Sequence, residues 1–189
     1  MNLSPQHRAA LLATARTTIR HALAGAAEPP SVCDDPILLQ PAGCFVSLHR
    51  QHDRGLRGCV GQLEAAEPLL LAVASAARSV LDDPRFRREK VTGDELPMLE
   101  IELSVLSPIR AAGHVLDFDP MTDGIILGVD GRSGCFLPQV AKETGWTREQ
   151  LLSRLCIEKL GMPEHSWREE PMRLSVFTAI VIGPEPFGG

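Results

Sequence analysis

The 189-residue chain carries a formal net charge of −5, with 44% hydrophobic and 23% charged residues, 2 Trp, 6 Phe and no Tyr. This balance excludes disorder, collagen and a disulfide scaffold, and the length favours one domain, or one plus a small lobe, able to bury roughly 70% of its unfolded surface without metal or disulfide. The charge argues against a general nucleic-acid binder, whose phosphate affinity needs clustered Lys and Arg, and the 4% aromatic content argues against a single-strand stacking platform.

Ser4-Pro5 predicts a helix start, with Leu12, Ala15, Ile19 and Leu23 as its apolar stripe and Gly25 as its stop. Residues 28–36 read as a Pro-containing loop. Residues 44–50 and 56–63 read as a hairpin around the turn Asp53-Arg54-Gly55. Pro68 opens a second helix whose apolar face is Leu70, Val73, Ala77 and Val80 or Leu81, and Asp82-Asp83-Pro84 stops it. Thr92-Gly93-Asp94-Glu95 fits a capping box that starts a short helical turn. Strands are expected over 99–106 and 124–129, with the turn 130–134 returning the chain into 135–137. Pro138 starts a helix that Gly145 ends, and Thr147-Arg148-Glu149-Gln150 is a second capping box before a helix closed by Gly161. Residues 172–182 read as one final strand, followed by a Pro- and Gly-rich tail. Hairpins between helices predict an α+β fold with a mostly antiparallel sheet and flanking helices.

Cys33, Cys44, Cys59, Cys135 and Cys156 are odd in number and irregularly spaced, with no CxxC, so neither a zinc ribbon nor a dithiol redox pair is readable. No CxxxCxxC occurs either, so no radical-SAM cluster is held by this chain itself. The first 25 residues lack the apolar core of a signal peptide, and no stretch is long enough to span a bilayer. A reduced, cytoplasmic protein is expected, with no cofactor, no metal, no nucleic-acid partner and no membrane association.

Leu56-Arg57-Gly58-Cys59-Val60-Gly61 is the most unusual stretch, because two glycines beside a cysteine weaken a strand. Here the chain resembles the AMMECR domain family. The likeness runs through Gly43-Cys44-Phe45-Val46-Ser47-Leu48, the signature at 56–61, Asp83-Pro84-Arg85-Phe86, Asp94-Glu95-Leu96-Pro97 and the strand at 101–106. It continues through Phe136-Leu137-Pro138-Gln139-Val140-Ala141, Gly145-Trp146 and Leu155-Cys156. The resemblance implies a single AMMECR-like domain over 1–189, with a larger lobe from both chain ends and a smaller lobe inserted in the middle. It also implies an accessory protein, the A component of the AmmeMemoRadiSam system, with a Memo-like protein and a radical SAM enzyme as partners. Family members carry His-Gly before the buried strand where this chain has Asp123-Gly124, so a proposed histidine base for the signature cysteine does not transfer. Aspartate is the weaker base near neutral pH.

Cys59 is either a small packing residue in a tight strand or a thiolate nucleophile, which would need a nearby cation or base. Alternation puts Arg57 on its strand face. A hairpin in which Gln51 opposes Arg57, or His52 opposes Leu56, brings His49 opposite Cys59 as a candidate base, although a one-residue slip reverses the faces. Arg57 and Arg85 are either salt-bridged cations or an anion site. Gly58 and Gly61 would then let backbone N–H groups approach a ligand. Asp83 and Glu102 are the carboxylates to follow, Asp83 as a helix breaker and Glu102 as a solvent-facing strand residue on the plainest reading. His49 and His52 form an HxxH across a strand end, the wrong spacing for a metal site. Two functional readings follow. One is a small-molecule or anion-binding cleft at the 56–61 signature of an accessory component. The other is a non-catalytic adaptor that docks proteins through the same surface. The residues leave open whether the chain is an enzyme.

Overall fold

The computed structural model describes residues 1–27, 33–169 and 171–188. The elements run α1 (Pro5–Leu23), β1 (Cys44–Arg50), β2 (Leu56–Gln62), α2 (Leu69–Ser79), β3 (Leu99–Leu106), β4 (Arg110–Ala111), β5 (Gly124–Val129), β6 (Arg132–Phe136), α3 (Pro138–Thr144), α4 (Arg148–Leu155), α5 (Ser166–Glu169), β7 (Arg173–Phe177) and β8 (Ala179–Pro186). Short 3₁₀ turns cover Val80–Asp82, Pro84–Phe86 and Gly93–Met98, and a π-helical turn covers Cys156–Leu160. The fold is α+β, as the element order predicts. Residues 28–32 of the expected 28–36 loop lie outside the described residues.

The chain divides into two compact units, Met1–Leu106 with Ile180–Gly189, and Ser107–Ala179. In the first, a sheet ordered β2-β1-β3-β8 carries α1 and α2 over one face. Cys44, Val46 and Leu48 of β1 and Leu99, Ile101, Leu103 and Val105 of β3 are all at most 1% exposed. They alternate along their strands, so one face is apolar and the other is free to carry polar groups. Leu11, Ala15 and Ile19 of α1 and Val73 and Ala77 of α2 close the same core at 0% exposure. Ser4 caps α1 by accepting from the His7 backbone, and the His7 ring accepts from Ser4 N–H in return.

The two edges of this sheet are managed differently. Along β8, arginines of α1 take main-chain carbonyls: Arg8 donates to Val181, Arg16 to Pro186 and Arg20 to Phe187 just beyond the strand. Along β2, side chains of the turn after α2 do the equivalent work at Cys59, described below.

The second unit is a sheet ordered β4-β7-β5-β6 packed with α3, α4 and the π-helical turn around Ile125, Leu127, Leu152, Leu155 and Val176. Asp130 and Gly131, at φ 49° and 75°, make the two-residue turn between β5 and β6. This turn matches the right-handed twist of the strands, so pairing resumes at Arg132 rather than at the expected 135. Gly145 and Gly161 adopt the left-handed conformation that closes helices, and Thr147 and Gln150 form the expected reciprocal cap.

Three expectations are corrected. The segment 172–182 is two strands in different sheets, β7 and β8, broken at Thr178, whose N–H is taken by the Ser107 side chain. The Pro- and Gly-rich tail continues β8 as far as Pro186, which edge position permits because an edge strand has N–H groups to spare. Thr92 makes no side-chain cap, and Gly93–Met98 is a 3₁₀ turn. Its Glu95 reaches across the fold to Arg57 instead of back to the Thr92 backbone.

Candidate functional site

The β1–β2 ladder pairs Ser47 with Cys59 and Leu48 with Gly58, then jumps to His49 with Leu56. Arg57 is the extra residue, a β-bulge, and the ladder differs from the register expected from the turn, in which Gln51 opposes Arg57 and His52 opposes Leu56. An inserted residue re-aims its side chain and breaks alternation, so the two-residue spacing does not place Arg57 beside Cys59. His49 pairs with Leu56 and Glu100, and its ring Nδ1 lies 3.3 Å from the Arg54 carbonyl. Ser47 takes the place opposite Cys59 that the sequence assigned to His49. Across β1, Ser47 also pairs with Glu102 of β3. Cys59, Ser47 and Glu102 therefore form one row over three strands, on the face opposite the apolar core.

The bulged Arg57 is buried at 7% exposure and forks onto Glu95, with Nε to Oε1 at 2.6 Å and an Nη2 to Oε2 at 2.9 Å. Its Nη1 is buried without a hydrogen-bond partner among the described residues. The guanidinium lies 5.6 Å from the Phe86 ring centre, and that of Arg85 lies 5.8 Å from the same ring.

Asp83, 3% exposed, organises the rest. Its carboxylate accepts from Cys59 N–H at 2.9 Å, from Arg85 N–H at 3.0 Å, and from Arg85 Nε and Nη2 at 3.0 and 2.6 Å. The Arg85 Nη2 also donates to the Cys59 carbonyl at 3.0 Å. Both main-chain polar groups of Cys59 are thus occupied by two side chains, which stand where a further strand would pair. Burial pushes the Asp83 carboxyl up, but the hydrogen bonds from Arg85 and from the Cys59 and Arg85 backbone outweigh it and hold it at about 2. The same pairing raises the Arg85 guanidinium, with the Cys59 side chain a smaller contributor.

A folded-state value below the ordinary one of roughly 3.9 means that Asp83 stabilises the fold above that pH and ceases to as pH falls through about 2. The linked stability is about 2 kcal/mol. Asp83→Asn is therefore expected to be less stable than the parent at pH 7, with the gap closing between pH 4 and pH 2. Urea unfolding of both proteins across that range measures it, and a gap independent of pH would refute the assignment.

The signature glycines are explained by packing. A Cβ on Gly58 would lie 2.9 Å from both Cγ2 and the carbonyl oxygen of Val80, and one on Gly61 would run into the Cys44 carbonyl and lie 2.6 Å from Cα of Phe45. The glycines let β2 press against the turn after α2 and against β1.

Of the residues singled out by sequence, Cys59 meets Arg85 and Asp83 directly, Gly58 and Gly61 frame Cys59, Glu102 lies two strands away in its row, and Arg57 and His49 are directed elsewhere. Both candidate anion-binding guanidiniums already hold carboxylates. Ser47, Glu95 and the clamping role of Asp83 escaped sequence reading; the one signal was Glu95 itself, ambiguous between a helix cap and a partner for a cation. Asp123 accepts from Asp119 N–H at 2.9 Å and stands 3.8 Å from Arg110 within the second unit. Among the described residues no group of three or more His, Cys, Asp or Glu is placed to hold a metal ion, and no helix is long and apolar enough to cross a membrane.

The chain is thus an α+β protein with two four-stranded sheets, in which a Gly-Cys-Val-Gly edge strand is clamped by an Asp-Pro-Arg-Phe turn. Residues 12–182 match the AMMECR1 family, and the chain belongs to it. Protein TV1384 of Thermoplasma volcanium is 36% identical over 166 residues, covering 84% of this chain and 81% of the relative. Protein MJ0810 of Methanocaldococcus jannaschii is 36% identical over 144 residues, covering 72% and 70%. The crystal structure of the uncharacterized protein PH0010 from Pyrococcus horikoshii superposes with a TM-score of 0.80 at 32% identity, covering 90% of this chain and 88% of that one.

Proposed function

We propose that this chain is an accessory component acting with a Memo-like protein and a radical SAM enzyme, and that it binds a small polar molecule on the sheet face around Cys59. The family resemblance supports the partners. The register carries the surface: Cys59, Ser47 and Glu102 stand side by side on adjacent strands, and cross-strand neighbours are about 5 Å apart. Ser47, at 8% exposure, is the recessed middle of this row, between Cys59 and Glu102. A thiol, a hydroxyl and a carboxyl group together favour a ligand rich in hydroxyl or amine donors.

Iodoacetamide labelling against pH, read by peptide mass mapping, tests this surface. Cys59 is expected to label while Cys44 and Cys156, both at 0% exposure, do not. Burial pushes the Cys44 thiol up to about 12, which further suppresses its reactivity. An apparent Cys59 pKa well below about 8.5 places chemistry at the thiol, and an ordinary value makes it a binding contact. A Cys59 inert at pH 8 in the folded protein defeats the reading.

A second reading is a non-catalytic adaptor that docks proteins through the signature region. Arg57 and Arg85 are already neutralised by Glu95 and Asp83, and His49 is turned away from Cys59. Co-purification with a Memo-like or radical SAM partner tests it, and failure of both to bind removes it.

A further inference from the structure

We infer that the turn following the signature clamp binds an acidic segment of a partner protein; this rests on the docking reading. Pro84, Arg85, Phe86, Arg87, Arg88 and Glu89 line a recess of about 530 Å³. Its neighbouring charges cancel in pairs, Asp82 with Lys90 at 2.6 Å and Asp83 with Arg85 at 2.6 Å. Arg87 and Arg88 do not: both are exposed, and among the described residues neither forms a hydrogen bond or an ion pair. Against the single carboxylate of Glu89 they leave a local surplus of positive charge on a chain of net −5.

The wall behind them is fixed. Phe86 is half-buried and carries the guanidinium groups of Arg57 and Arg85 around its ring, and those two are held in turn by Glu95 and Asp83. Two exposed guanidinium forks beside the half-buried Phe86 ring suit carboxylate side chains, which each fork can hold with two hydrogen bonds. Five of the six lining residues are exposed, so the recess does not enclose a ligand as metabolite pockets do. An extended acidic segment can lie along it. The overall negative charge disfavours nucleic acid in that place.

The full chain is titrated against a fluorescein-labelled oligoglutamate peptide and binding is followed by anisotropy. Binding is expected at low salt and to weaken about tenfold on raising salt to several times the starting concentration, because exposed charges are screened. The double reversal Arg87→Glu/Arg88→Glu is expected to weaken it at least about tenfold. Arg87→Lys/Arg88→Lys is expected to retain most of it, and Lys142→Gln, at an exposed cation of the second unit, all of it. Circular dichroism melting of the reversal variant confirms that it is folded. Peptide binding untouched by the reversal, or absent at low salt, overturns the inference. So does displacement of the peptide by micromolar inorganic phosphate, which would identify a small-anion site. Retention of a Memo-like or radical SAM partner by the reversal variant would sink this inference while leaving the docking reading intact; loss of all partner binding by the parent chain would sink the docking reading itself.

Discussion

Gly61→Ala is expected to destabilise the first unit by about 3 kcal/mol, the upper range for overpacking. The added methyl would meet the Cys44 carbonyl and Phe45 Cα, both main-chain atoms of the central strand β1. Such atoms cannot swing aside as a side chain can, so relief requires β2 to separate from β1 along the ladder that holds Cys59 opposite Ser47. Gly93→Ala is the matched control, because nothing lies within 4 Å of its built Cβ. Gly93 opens a 3₁₀ turn, where alanine also costs the unfolded chain some freedom, so a change between zero and a few tenths of a kcal/mol in the stabilising direction is expected. Urea midpoints of the two variants check this. A Gly61→Ala protein as stable as Gly93→Ala would mean that β2 and β1 are not packed as described.

Glu95→Leu is expected to cost about 3 kcal/mol, the lower end for breaking a buried pair, since Glu95 keeps partial solvent contact at 21% side-chain exposure. The penalty comes mainly from Arg57. Its side chain is 8% exposed, and without Glu95 a full positive charge stays buried with Nη1 already unpartnered. Removing the cation as well removes that penalty, so Arg57→Leu/Glu95→Leu is expected to regain at least half of the loss. Denaturant unfolding of the two single variants and the double variant gives the coupling. If the double variant is as unstable as the sum of the singles, the fork does not hold Arg57 in the way described.

What the chain reveals before folding follows the range of each interaction. The cap at Ser4, the reciprocal cap of Thr147 with Gln150, and the glycine stops at Gly145 and Gly161 are settled within a few residues, and all are legible in the sequence. The α+β class follows from the order of these local pieces. The Thr92 cap shows where local reading fails: Glu95 has two possible partners, and the distant one, 38 residues away in sequence, wins because Arg57 would otherwise be buried alone. The bulge at Arg57 has no local signature either; the turn sets His49 opposite Leu56, and the bulge then brings Ser47 rather than Val46 opposite Cys59. Family resemblance located the signature without its wiring, since the Asp83 carboxylate reaches the Cys59 amide across 24 residues. The break at Thr178 is invisible for a similar reason. Residues 173–177 and 179–186 are both β-rich, and only the partners waiting on each side separate them into two sheets.

The contacts of Arg8, Arg16 and Arg20 with carbonyls at Val181, Pro186 and Phe187 have a consequence for biosynthesis. The first helix leaves the ribosome early, yet the strand that completes its sheet is made only after the whole of Ser107–Ala179. A nascent chain stalled before residue 180 exposes the outer edge of β3 and leaves three arginines of α1 without their acceptors at Val181, Pro186 and Phe187. The inserted unit has all its strands by then and can finish first, so the protein is expected to mature from the inside outward, with a short deletion at the far end arresting the part made earliest.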